Sequence, residues 1–152
     1  MSTTIGTIQI PTDEDGFVLL QCPLCGTFFK LSAKEMESDE VIEIFCPSCG
    51  LKSRSYLTQD VIKTALAKAT NYMLDAVHEG FKKLERNFNN QYVEFSAGPK
   101  PKHEIEGKVH LGIDALDIEK YPCCEREVKI DSILLLCGSY CPYCGVRYDG
   151  NK

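Results

Sequence analysis

A chain of 152 residues, 43% of them hydrophobic, suffices for one ordinary domain or for two small modules sharing an element. Its formal net charge of −5 argues against a binder driven by counterion release, which needs a basic face. No apolar run approaches the roughly 18 residues that would cross a bilayer, the longest being Ile133 to Cys137, which excludes a helical membrane protein.

In chain order, Ile5 to Ile10 alternate apolar with small or polar side chains and predict an edge strand, closed by the turn-rich Pro11-Thr12-Asp13-Glu14-Asp15-Gly16. Phe17 to Gln21 predicts a strand running into Cys22-Pro23-Leu24-Cys25-Gly26, and Phe28 to Leu31 a second strand leaving it. Adjacent strand residues face opposite sides, so of Phe28 and Phe29 one is expected in the core and the other half-exposed, a reading preferred to base stacking. The charged stretch Ser32 to Glu40 reads as a solvated tip with a helical turn. Val41 to Phe45 is expected to return as a strand into Cys46-Pro47-Ser48-Cys49-Gly50.

From Leu57 the period changes to that of a helix. Ile62, Leu66, Ala69, Met73, Val77, Phe81, Leu84 and Phe88 step by threes and fours, and Thr58 is placed to cap. The helix spans about 30 residues, roughly 45 Å. Its apolar face is broader than a small neighbour can cover, which marks it as the interaction element, for a protein partner or a second copy. Lys82, Lys83 and Arg86 near its C-terminal end are read as complementing the helix dipole rather than as a nucleic-acid contact. Beyond it, Tyr92 to Phe95 predicts a short strand, SAGPKPK (Ser96 to Lys102) a linker, and Ile105, Val109, Leu111 and Ile113 extended chain. His103 reads as a surface histidine and His110 as a strand histidine.

The CPxCG pattern returns a third time as Cys141-Pro142-Tyr143-Cys144-Gly145. Two thiols separated by two residues across a Pro and a Gly form a tight turn that aims both sulfurs at one point. Two such turns facing each other supply four tetrahedral thiolates for a zinc ion at about 2.3 Å. On these motifs the chain resembles the zinc-ribbon family, whose two CPxCG knuckles sit at one end of a small antiparallel sheet. Cys22, Cys25, Cys46 and Cys49 match that family's four ligand positions.

A fourth, altered copy is Tyr121-Pro122-Cys123-Cys124-Glu125, in which Cys124 aligns with Cys25, Tyr121 with the first ligand Cys22, and Lys129 with Lys30. The missing thiol can come from Cys123 or from Cys137. Cys123 keeps knuckle geometry on both sides, so the preferred second set is Cys123, Cys124, Cys141 and Cys144, with Val128 to Ile130 and Ile133 to Leu136 as strand arms and Cys137 as a buried thiol. Two four-thiolate zinc sites add −2 each, which would bring the loaded chain to −9.

The expected fold is α+β: two small zinc-ribbon antiparallel modules joined by one long amphipathic helix. The segments are 1–56 (first ribbon), 57–90 (helix), 91–120 (extended segment and linker) and 121–152 (second ribbon). The opening MSTTIGTIQI shows no basic region followed by an apolar run, so a reducing cytoplasm is the expected location of the nine cysteines. No HxE, HExxH, phosphate-binding glycine loop or serine elbow is present, so no catalytic residues and no enzyme are expected. The expected role is that of a structural-zinc adaptor or regulatory subunit with two Zn2+. The alternative, by family analogy, is a nucleic-acid-associated factor.

Overall fold

The computed structural model describes residues 6–110 and 112–150. The chain forms two compact units, one of Met1–Gln9 and Gln59–Lys108, the other of Ile10–Thr58 and Val109–Lys152. Both cysteine-rich ends belong to the second unit.

In that unit β1 (Phe17–Gln21) and β2 (Phe28–Ser32) form a hairpin, followed by one helical turn, α1 (Ala33–Met36). β3 (Leu116–Tyr121) and β4 (Arg126–Asp131) form a second hairpin, followed by α3 (Ser132–Cys137) and a small pair, β5 (Ser139–Tyr140) with β6 (Arg147–Tyr148). The hairpins do not make separate sheets. β2 pairs antiparallel with β4 to give one sheet in the order β1-β2-β4-β3. Lys30 lies opposite Lys129, the residue it aligns with by sequence, and Leu31 opposite Val128, so the two hairpins meet about a pseudo-two-fold axis at the lysine pair.

Strand alternation then sorts the side chains. Val18, Leu20, Phe29, Leu31, Val128 and Ile130 fall on one face and are buried with Tyr56, Tyr121, Tyr143, Cys22, Cys46 and Cys141. Phe28 is half-buried, as expected for the neighbour of the fully buried Phe29.

Several local expectations are corrected. Ile133 to Leu136 is not a strand but most of α3: the Asp131 side chain accepts a hydrogen bond from the Ile133 amide, and Gly138 ends the helix at φ 103°. A short apolar run fits either state, and the cap decides it. Cys137, at the exposed end of α3, is not a buried thiol. Val41 to Phe45 forms no strand. Only Phe45 bridges, to Lys52, as its counterpart Tyr140 does to Arg147 in β5 and β6. Residues 6–10 are irregular and Ile5 lies outside the described residues. Tyr92 to Phe95 contributes one bridge, Asn90 to Val93. Around His110 the chain is irregular rather than a strand, and Leu111 lies outside the described residues.

The other unit is organised by the long helix α2 (Gln59–Phe88), 30 residues as its periodicity requires. Its buried positions include Thr64, Asn71 and His78, all polar. The Thr64 hydroxyl donates to the Gly107 carbonyl at 3.0 Å, and the Asn71 amide both donates to the Glu104 carbonyl (3.0 Å) and accepts from its N–H (2.7 Å). Lys100 and His103 close on Asp75 at 3.0 and 2.9 Å. The SAGPKPK stretch thus leads into chain that is docked on the helix. Thr64 and Asn71 supply partners for backbone groups of this irregular, largely exposed segment. No helix among the described residues is long and apolar enough to cross a membrane.

Candidate metal centres

Each cysteine turn is built by the same two backbone bonds. The Cys22 amide donates to the Thr27 carbonyl and the Gly26 amide to the Cys22 carbonyl, both at 2.9 Å. Cys46 repeats this with Leu51 and Gly50, and Cys141 with Val146 and Gly145. Gly26, Gly50 and Gly145 have φ of 79°, 70° and 75°, the left-handed region where a side chain is strained. In the altered copy the Glu125 amide donates to the Tyr121 carbonyl at 2.8 Å, and Glu125 takes φ 53°. The turn therefore survives the loss of both its first cysteine and its glycine.

The sulfurs of Cys22, Cys25, Cys46 and Cys49 lie within 4.8 Å of one another, and so do those of Cys123, Cys124, Cys141 and Cys144. Cys137 is in neither group. In the first, Cys22 to Cys49 is 3.9 Å and Cys25 to Cys46 is 3.5 Å. In the second, Cys124 to Cys141 is 4.0 Å and Cys123 to Cys144 is 3.2 Å. Four sulfurs at 2.3 Å around a tetrahedral zinc stand about 3.8 Å apart, so the donor type, number and spacing fit that ion. Both groups could hold a metal ion.

The electrostatics repeat between the groups. Burial pushes the Cys46 and Cys141 thiols up, and neighbouring cysteines add to it. The amides of Ser48 and Cys49 oppose this at Cys46, and those of Tyr143 and Cys144 at Cys141. At the exposed Cys25, partial burial is outweighed by hydrogen bonds from the Thr27 hydroxyl and amide, which hold the thiol down at about 6. At Cys123 burial is likewise outweighed, here by the Tyr148 hydroxyl, and the thiol is lowered. Burial and the charges of Cys144 and Cys123 push Cys124 up to about 11. Without a cation, four adjacent thiolates cannot coexist. A bound divalent ion would supply the charge that lets them, and the buried cysteines gain most.

Thr27 and Tyr148 are the residues that sequence reasoning missed. Thr27 follows its knuckle directly and could have been found from its place, whereas Tyr148 reaches Cys123 only through the fold.

The two groups are interlocked. The Phe45 amide donates to the Pro142 carbonyl at 2.8 Å, and the Tyr140 amide to the Pro47 carbonyl at 2.9 Å. The Tyr140 ring lies against Gly50, where a Cβ would come within 2.8 Å of it, and the Phe45 ring against Gly145, with 3.1 Å left. Each aromatic thus closes over the knuckle glycine of the other half.

Comparison of the chain with protein-family models, curated proteins and solved structures gives no match.

Proposed function

We propose that the chain is a non-enzymatic structural-zinc protein of the zinc-ribbon type, acting as a protein-interaction adaptor or regulatory subunit. The observation that carries this reading is the interlock of two four-cysteine groups. Four thiolates fill a tetrahedral zinc and leave no open position for a substrate, and each group ties together two turns far apart in sequence. Metal there would hold the fold rather than perform chemistry. In small modules such binding supplies on the order of 10 kcal/mol of folding free energy.

The adaptor role is favoured over nucleic-acid association by charge placement. Lys30 and Lys129, the cations at the centre of the sheet, are buried against Asp13 and Asp15 rather than offered to phosphates. Together with the net charge of −5, this withholds the two central cations of the sheet from a phosphate backbone. Native mass spectrometry of protein purified without chelator should show two zinc ions per chain, and an absence of metal would end the reading. Steeply salt-dependent binding to DNA or RNA would favour the nucleic-acid role instead.

A further inference from the structure

Away from the buried polar positions of α2, most of its apolar stripe is exposed; Ile62 and Ala69 are half-buried, and the Phe81 ring meets that of Phe95 at 6.3 Å. Leu66, Met73, Val77, Phe81, Leu84 and Phe88 are 42–63% exposed. The stripe has a property beyond hydrophobicity: it is a palindrome. The positions Ile62, Leu66, Ala69, Met73, Val77, Phe81, Leu84 and Phe88 are separated by four, three, four, four, four, three and four residues, the same series in either direction. A stripe of that kind superposes on itself when the helix is reversed about position 75.

We propose that α2 pairs with α2 of a second copy of this chain, antiparallel, with the two-fold axis passing beside position 75. Reversal sets Ile62 against Phe88 of the other copy, Leu66 against Leu84, Ala69 against Phe81, and Met73 against Val77. Thr70 then meets Gly80. The bulky Phe81 falls opposite the small Ala69, which leaves room for it near the middle of the contact. None of these positions is charged.

Charge supports the same register. Lys63 and Glu85 stand on the same flank of the stripe, at helical rotations of about 60° and 100° from Leu66. A two-fold axis perpendicular to the helices keeps that flank on one side, so each Lys63 comes within about 3 Å, along the axis, of the other copy's Glu85. A parallel pair would set Phe81 on Phe81 and Ala69 on Ala69 and leave Lys63 about 33 Å from Glu85 along the helix. The inference rests on the adaptor reading and deepens it: the first partner is the chain itself.

The test is sedimentation equilibrium on the full zinc-loaded chain across about 1–100 µM, with metal content and helix signal measured alongside. A mass twice the 17.0 kDa of the chain is expected. Met73→Glu, which places two charges at the centre of the contact, should weaken the dimer at least about a hundredfold without changing metal content. Lys63→Glu should weaken it about tenfold, and Lys63→Glu with Glu85→Lys should restore it to within about twofold of the parent. Lys63 is exposed and Glu85 half-buried, neither in the core, so their variants remain informative if Met73→Glu misfolds. A monomer throughout the range, a dimer indifferent to Met73→Glu, or a charge swap without recovery would each overturn the antiparallel pair. Zinc stoichiometry is read separately, so loss of the dimer with two zinc ions retained would leave the structural-zinc reading standing.

Discussion

Lys30 of β2 and Lys129 of β4 face each other across adjacent strands, and both ammonium groups close on Asp13 Oδ2, at 3.1 and 2.8 Å. Like charges directly opposite in a sheet repel, and these two are 4% and 9% exposed. The arrangement holds because the Asp13-to-Gly16 turn lies over the pair. Asp15 adds a contact to Lys129 at 2.6 Å, and the Phe17 ring lies 4.8 Å from the same ammonium.

Asp13 should therefore matter more to stability than any other carboxylate of this unit. Burial opposes its charge, but Lys129, the Phe17 amide and Lys30 together hold the carboxyl down at about 2 against an ordinary 3.8. A depressed folded value means that the stabilisation is full above about pH 4 and is lost as pH falls toward 2. Its size is about 2 kcal/mol. Asp13→Asn should lower Tm by roughly 10 °C at neutral pH. The gap between parent and variant should close in acid, and since zinc release is common to both it cancels in that difference. A gap independent of pH would show that the carboxylate charge is not the cause.

Glu125 keeps a glycine's conformation without being one. Its φ of 53° lies with those of Gly26, Gly50 and Gly145. Glu125→Gly should thus stabilise the protein by about 1 kcal/mol, the left-handed penalty less the extra chain entropy of glycine. Gly26→Ala should cost a similar amount, because a Cβ there meets nothing within 4 Å. Thermal melts of the two zinc-loaded variants should shift in opposite directions.

What the sequence made legible follows from range. The knuckles, β1, β2 and α2 were readable because turn chemistry and side-chain period are local. The joining of the halves through β2 and β4 was not, because nothing local announces a pairing between residues about a hundred apart, and lysines at its centre look like solvent-facing charges. The alignment of Lys129 with Lys30 already held the clue. On α2 the apolar stripe was visible while the polar side that docks residues 100–107 was not, since nothing local marks Thr64 and Asn71 as partners of a later segment.

Cysteine replacement should sort the ligands. Cys123→Ser and Cys124→Ser should each release about one zinc, because three thiolates and a hydroxyl make a poor site. Cys137→Ser should leave two, since that thiol lies on α3 outside both groups. Metal analysis by inductively coupled plasma decides it, and loss of zinc in the Cys137 variant would contradict the geometry.

The interlock predicts that the two sites load together. With Tyr140 against Gly50 and Phe45 against Gly145, disorder in one second knuckle removes the packing of the other, along with the Phe45-to-Pro142 and Tyr140-to-Pro47 bonds. Cys141→Ser should therefore do more than empty its own site: it should speed zinc loss from the intact group by at least about tenfold, equivalent to about 1.4 kcal/mol of coupling. Gly50→Ala offers a version that touches no ligand. Its backbone cost should match that of Gly26→Ala, but its Cβ would press on the Tyr140 ring, adding about 1–3 kcal/mol of overpacking. Chelator-driven release followed with a chromogenic dye should show both zinc ions leaving faster in Gly50→Ala and little change in Gly26→Ala. Release from only the group that contains Cys46 and Cys49 would mean that the two centres stand independently on the shared sheet.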